Sequence, residues 1–299
     1  MSDLKGLHIL LTYTCLYECD HCFLHCGPNA EGTFTIERME SLLDQAVEAG
    51  IESLFFEGGE PFLFFPLLEA SVRLGRERGL SSRLVTNGYW ATSLRDAELW
   101  LAPLQAAGLA SLSISEDVFH GDDDGPARRV RDAAGNLGLE IDSISIEPPA
   151  TAADATQGKG EPVVGGDVLL KGRAVDKLVD GLPRRPYACF TECTGEELAR
   201  PSRVHLDPHG NVFVCQGLSI GNVWRTPLAE VMKAYDPAAH PVVGPLLEGG
   251  PAALARRYGL PEGEDYVSDC HLCYLVRRGL VDRFPEQLCP RQVYGLPAG

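Results

Sequence analysis

No cysteine occurs between Cys26 and Cys189, an interval of more than half the 299-residue chain. The ten cysteines instead form two groups. Cys15, Cys19, Cys22 and Cys26 lie within a dozen residues, and Cys189, Cys193, Cys215, Cys270, Cys273 and Cys289 lie toward the C-terminus. A long apolar run is also missing. The one near the N-terminus, in MSDLKGLHILLTYTC, stops at a cysteine, has no small-residue cleavage site and is too short to span a bilayer. We therefore expect no membrane segment and no secretory signal, hence a cytoplasmic location where thiols stay reduced. There the cysteines read as metal ligands or catalytic groups rather than disulfides. Basic patches are scarce too. Lys and Arg number 26 against 42 Asp and Glu, a net charge of −16, and the pairs at 184–185, 256–257 and 277–278 and RRVR at Arg128–Arg131 are isolated. Such a chain is a poor ligand for a phosphate backbone, so nucleic acid is not an expected partner.

What is present alternates in period. LHILLTYT (7–14), IESLFF (51–56), SRLVTNG (82–88), LASLSISED (109–117), LEIDSISIEPP (139–149) and VVGGDVLLKGRA (163–174) read as strands. Helical patterns fall between them at 34–50, 62–79, 93–107 and 126–137, and 148–165 reads as a loop. Strand–helix alternation implies a parallel sheet with right-handed crossovers, and six units imply an α/β fold, a partial (β/α)6 barrel. Chemistry in such sheets sits beyond the C-terminal strand ends. The cysteines, EGGEP, TNG, SISED and KGRA all fall there.

After about Gly181 the alternation ends. Pro208-His209-Gly210-Asn211 between two apolar stretches marks a hairpin, and short helices are expected at 227–236, 245–258 and 270–279. We divide the chain into a barrel over 1–180 and a small cysteine-rich unit over 181–299.

Cys15-x3-Cys19-x2-Cys22 supplies three thiolates from one short loop. Structural zinc takes four, which Cys26 or His25 would complete. A cubane [4Fe–4S] cluster takes one thiolate per iron, and three would leave one iron open. CxxxCxxC after the first strand, with His21 before the last cysteine, resembles the radical S-adenosylmethionine superfamily, and EGGEP (Glu57–Pro61), TNG (Thr86–Gly88) and SISED (Ser113–Asp117) resemble that family's cofactor-facing strand ends. The resemblance implies a [4Fe–4S] cluster on Cys15, Cys19 and Cys22, with S-adenosylmethionine on the fourth iron. It assigns the cofactor's surroundings to His21, Gly58, Gly59, Glu60, Asn87, Ser115, Glu116 and Arg173. Glu60 would meet the cofactor's ammonium group, and Glu57 would either do the same or simply end the strand. The implied activity is cleavage of S-adenosylmethionine to a 5′-deoxyadenosyl radical that abstracts a substrate hydrogen.

Cys193, Gly210-x4-Cys215 and Cys270-x2-Cys273, preceded by KGRA (Lys171–Ala174), resemble the SPASM/twitch appendage of that family. Gly279 and Arg283 stand where a full SPASM domain has two further cysteines, so one auxiliary [4Fe–4S] cluster is implied, with Cys189 an alternative first ligand. A zinc ribbon from the same residues is the competing reading. His271, within the Cys-x2-Cys, is expected to be exposed. The resemblance implies a ribosomally made peptide as substrate, or alternatively a sugar or cyclitol to be dehydrogenated, and an electron donor such as flavodoxin or ferredoxin. Candidate catalytic groups are the thiols of Cys26 and Cys289 as hydrogen donors and His120, just past SISED, as an acid or base. A non-enzymatic metal-binding protein is the remaining alternative, and it leaves the strand-end motifs unexplained.

Overall fold

The structure, a computed structural model, describes residues 4–121, 125–153, 162–259 and 265–297. β1 (Gly6–Thr12) is buried along its length except at His8, and its side chains alternate between two faces. Leu7, Ile9 and Leu11 join the main apolar core, while Leu10 joins a separate cluster with Cys15 and Cys26. This period of two places His8, Leu10 and Thr12 on the opposite, inner face. β2 (Ser53–Gly58), β3 (Ser81–Thr86), β4 (Leu109–Ser115) and β5 (Glu140–Ile144) pair in parallel in chain order. α1 (Ile36–Glu48), α2 (Phe65–Glu77), α3 (Leu94–Ala107) and α4 (Gly125–Leu137) connect them. Leu42, Val72, Leu101 and Val130 of these helices are buried in one core with Ile9, Phe56, Leu84 and Leu112. Thr35 and Ser93 cap α1 and α3 by accepting from the backbone N–H of Arg38 and Asp96.

The strand expected at 163–174 is replaced by other structure. β7 (Pro162–Gly165) pairs antiparallel with β6 (Ala150–Ala153), away from the main sheet. The expected loop is therefore partly a hairpin, and residues 154–161 of it lie outside the described residues. Gly166, Asp167 and Gly172 have φ of 93°, 29° and 64°, which breaks any extended run, and α5 (Arg173–Lys177) begins at the arginine. A sixth parallel strand comes from later in the chain. After β8 (Arg185–Pro186), β9 (Arg203–Leu206) pairs in parallel with β1 and sets His205 beside His8. β10 (Asn211–Cys215) and β11 (Leu218–Asn222) extend the sheet, giving the order β11-β10-β9-β1-β2-β3-β4-β5. The predicted turn between β9 and β10 is held by Asp207, whose carboxylate accepts from the Asn211 N–H at 2.9 Å, and by Gly210 at φ 86°.

α6 (Leu228–Ala234), α7 (Val243–Tyr258, broken at Gly249–Gly250), β12 (Asp265–Tyr266) and α8 (Asp269–Leu280) complete the chain. A second core of Phe190, Val214, Leu246, Leu254, Leu272 and Tyr294 lies under them. The C-terminal region therefore has its own apolar core and also shares the barrel's sheet. Among the described residues no helix is long and apolar enough to cross a membrane.

Candidate active site

The first cysteine loop leaves the end of β1. The Cys15 N–H donates to Gly27 O at 3.1 Å, and the Cys22 N–H to Cys19 O at 3.0 Å. Arg173 then clasps the loop: its N–H donates to Cys22 O at 2.9 Å, and its guanidinium to Cys19 O at 2.8 Å and Cys26 O at 2.6 Å. Arg173, expected near the cofactor, is held here by backbone carbonyls of the loop. Gly59 lies against the same loop, where a Cβ would stand 2.0 Å from Thr14 O. Its N–H donates to Thr12 O at 2.6 Å. EGGEP is thus glycine-rich partly because the cysteine loop leaves no room for a side chain.

A cavity of about 310 Å³ opens at these strand ends, bordered by Cys15, Cys19, Cys22 and Cys26. Of the residues singled out in the sequence, His21, Gly58, Gly59, Asn87, Ser115 and His120 line it as well. Asn87 Nδ2 lies 3.7 Å from Cys15 Sγ. His120 Nδ1 is 2.8 Å from Asp117 Oδ1, and its ring stands edge-on to His21 at 5.4 Å. Burial pushes the Cys15 and Cys19 thiols up to about 11 and about 12. A hydrogen bond from the Cys26 thiol brings Cys22 down to about 6, and Cys26 itself rises well above the usual thiol range.

Four expectations need correction. Glu60 is fully buried and absent from the cavity wall. Its carboxylate accepts from Thr86 Oγ1 at 2.8 Å and from the N–H of Asn87 and Phe62 at 2.8 and 3.1 Å, and burial pushes it up to about 7. Glu60 therefore ties EGGEP to TNG. Glu116 turns to Arg131 and Ser143, because α4 carries Arg131 back over the end of β4. Cys289 borders a separate surface hollow with Ser219 and Glu286 and reaches neither cysteine site. His271 is buried, its Nδ1 accepting from the Val267 N–H at 3.1 Å.

Glu57 has a larger place in the site than its position at a strand end implies. It borders the cavity, and its two carboxylate oxygens accept from His205 Nδ1 at 2.9 Å and His8 Nδ1 at 3.0 Å. Burial pushes Glu57 up, but the two imidazole N–H donors outweigh it and hold the carboxyl below the usual range. Among the described residues, Asp167 is the second carboxylate of the wall, and no lysine or arginine borders it. His8 and His205 lie 197 positions apart in the sequence, and the β1–β9 pairing alone sets them side by side.

The second group converges at a distance from the first. Cys193, Cys215, Cys270 and Cys273 border one small gap with Lys171 and Arg277, while Cys189 is exposed elsewhere. Lys171 and Arg277 are 5% and 2% exposed and approach Cys215 Sγ at 3.9 and 3.7 Å. Glu196 and Asp269 at the rim bond to Arg203 and Thr194. Two buried cations therefore face four thiols, and Arg277 Nε has no hydrogen-bond partner. Buried charge needs a counter-charge, which deprotonated thiols at this gap would supply. Burial pushes Cys270 and Cys273 up to about 12, so loading would displace their protons. Among the described residues, no three sulfurs of either site lie within 4.8 Å of one another.

Residues 9–136 match the Radical SAM superfamily. PqqA peptide cyclase of Xanthomonas oryzae pv. oryzae (strain MAFF 311018) is 37% identical over 113 residues, 36% of this chain and 28% of that protein. GTP 3′,8-cyclase of Synechococcus elongatus is 32% identical over 116 residues, 38% of this chain and 34% of that one. The candidate peptide biosynthesis protein YydG of Bacillus subtilis (strain 168) is 26% identical over 117 residues, 39% and 37% of the two chains. The chain thus spans about a third of the length of these relatives. The crystal structure of BtrN in complex with AdoMet and 2-DOIA superimposes with a TM-score of 0.53 at 17% identity, over 79% of this chain and 85% of that one, which shows a shared fold. The matched stretch builds the three-cysteine loop and most of the cavity wall, and residues 9–136 are what the chain shares with the Radical SAM superfamily.

Proposed function

We propose that this protein is an enzyme that holds a [4Fe–4S] cluster on Cys15, Cys19 and Cys22 with S-adenosylmethionine at its open iron. In this reading it modifies a ribosomally made peptide during natural-product maturation. The observation that carries the reading is the convergence of three loop cysteines with His21, Gly58, Gly59, Asn87 and Ser115 on one cavity. When bound, cluster and cofactor supply the 5′-deoxyadenosyl radical that takes a hydrogen atom from the substrate. The chain's own residues do the rest. Arg173 and Gly59 fix the loop, and His21, Asn87 and Ser115 orient the cofactor. The Asp117–His120 pair holds or moves a proton, with Asp117 Oδ1 accepting from the imidazole so that the ring keeps one orientation. Cys26, hydrogen-bonded to Cys22, is a buried thiol positioned to give a hydrogen atom back.

Cys193, Cys215, Cys270 and Cys273 would hold one auxiliary [4Fe–4S] cluster within the unit after Gly181, with Lys171 and Arg277 offsetting its charge. Flavodoxin or ferredoxin would be the electron donor, and a cytoplasmic location suits the reduced thiols. The names of PqqA peptide cyclase and YydG favour the peptide. The cavity wall, with Glu57 and Asp167 and no basic side chain, is a poor fit to a nucleotide triphosphate. The second reading, dehydrogenation of a sugar or cyclitol, draws on the fold shared with BtrN, whose structure is a complex with AdoMet and 2-DOIA.

The test is 5′-deoxyadenosine formation by anaerobically reconstituted protein with dithionite and S-adenosylmethionine, compared with a Cys15/Cys19/Cys22→Ala variant. Cleavage by the wild type alone supports the reading, and cleavage by neither or by both contradicts it. A peptide encoded beside the gene that changes mass on turnover selects the first substrate class. A cyclitol that loses two hydrogens selects the second.

A further inference from the structure

The two cysteine sites are joined by an unbroken line of buried polar groups. Lys171 Nζ, beside Cys215, donates to Gln216 Oε1 at 2.7 Å. Gln216 Nε2 lies 3.4 Å from His205 Nε2. His205 Nδ1 lies 2.9 Å from Glu57 Oε1, and Glu57 borders the first cavity. Lys171, Gln216 and His205 are each no more than 5% exposed.

The donor inventory fixes every proton along this line. An ammonium only donates, so the amide oxygen of Gln216 faces Lys171 and its NH2 faces His205. His205 Nε2 must then accept, so its proton sits on Nδ1 and points at Glu57. An ionised carboxylate only accepts, so His8 Nδ1 also carries a proton toward Glu57. All the dipoles thus run in one direction, from the auxiliary site to the cavity. The same logic weighs against a second use of the trio. His8, Glu57 and His205 have their ligand atoms within 4.8 Å, close enough for a metal ion. Protons on both Nδ1 atoms occupy the lone pairs that a metal would need.

We infer that Lys171, Gln216, His205 and Glu57 form a coupling line through which charge at the auxiliary site is felt at the first cavity. This inference rests on the auxiliary-cluster reading given above. Gln216 and His205 are positioning residues: they orient Glu57 and keep it an acceptor at the wall. The substrate group that meets Glu57 is then a hydrogen-bond donor, a hydroxyl or an ammonium. Coupling between sites is reciprocal, so a change at Glu57 must register at the auxiliary cluster.

Reciprocity supplies a test that needs no substrate. The auxiliary midpoint potential is measured by EPR-monitored redox titration of reconstituted wild type, Glu57→Gln, Gln216→Leu and the double variant, with iron content checked in each. Glu57→Gln removes a negative charge and should raise the potential, and in the Gln216→Leu background the same change should leave it unmoved. Equal shifts in both backgrounds mean through-space charge alone and overturn the inference, as does no shift in either. His205→Asn, which breaks the line at another link, should reproduce Gln216→Leu.

If the protein binds no second set of irons, the reading of the auxiliary site has failed. The line is then judged on cluster-free protein by 15N NMR of its histidines. His205 should be protonated at Nδ1 in the wild type and lose that preference in Gln216→Leu. An unchanged His205 overturns the line itself. Uptake of Co2+ by wild type but not by His205→Ala would make the trio a metal site and also overturn it.

Discussion

Cys15, Cys19 and Cys22 come from one eight-residue loop and border an open cavity, whereas Cys193, Cys215, Cys270 and Cys273 come from three separate segments and meet in a small gap. Among the described residues, the first site has no lysine or arginine on its wall and spends Arg173 on backbone carbonyls. The second has two buried cations directed at one sulfur. Thiolate ligands thus sit in two electrostatic settings. A metal position that must accept an exchangeable ligand needs room and a neutral to acidic wall for a cationic sulfonium. A closed position that only stores charge needs counter-ions and no room. KGRA serves both, since Lys171 faces the second site and Arg173 clasps the first.

The comparison can be broken from either side. Gly59→Ala should be the most damaging change, because its Cβ would stand 2.0 Å from Thr14 O. We expect a cost of roughly 3 kcal/mol or more in urea denaturation and loss of the first set of irons while the second is kept. Arg277→Met should do the converse. With one buried cation gone beside Cys215, the auxiliary cluster should be lost or its potential lowered, while 5′-deoxyadenosine formation persists.

Two carboxyls, Glu60 buried and Glu57 half-buried, sharpen the contrast through pH. Glu60 is raised to about 7 in the folded state. Its contribution to stability is therefore full below about 4.5, where both states are protonated, and is lost as pH rises through about 7. The expected loss is about 3 kcal/mol, read as a falling urea midpoint of cluster-free protein between pH 5 and 7 that Glu60→Gln flattens. Glu57 runs the other way. Held below the usual range, it stabilises above about 4.5 and loses that contribution as pH falls. The smallest effect belongs to Cys189, exposed and outside both sites. Cys189→Ser should leave the iron count unchanged, and a loss would show that it competes with Cys193.

Much of this was legible because spacing and period are local properties. The five parallel strands follow from apolar patterning, and the cysteine loop from three residues on one turn of chain. The strand expected at 163–174 failed because VVGGDVLL keeps its apolar pattern through Gly166 and Asp167, whose positive φ values only the folded chain reveals. The true sixth parallel strand, Arg203–Leu206, is four residues long, and its partner β1 lies almost 200 residues away. The same distance hid the line from Glu57 to Lys171, which draws on β2, β9 and the segments after β7 and β10. Glu60 and Glu116 were misplaced for a related reason. Position at a strand end says that a carboxylate is near the site, but Thr86, Asn87 and Arg131 decide where it points.

The most direct test of two distinct cluster sites is an iron and zinc count with EPR on anaerobically reconstituted protein, on a Cys15/Cys19/Cys22→Ala variant and on a Cys193/Cys215/Cys270/Cys273→Ala variant. The account predicts roughly eight irons in the wild type and roughly four in each variant, with S-adenosylmethionine perturbing only the signal that the first variant lacks. Zinc in the first site, or an unchanged iron count in the first variant, would contradict it.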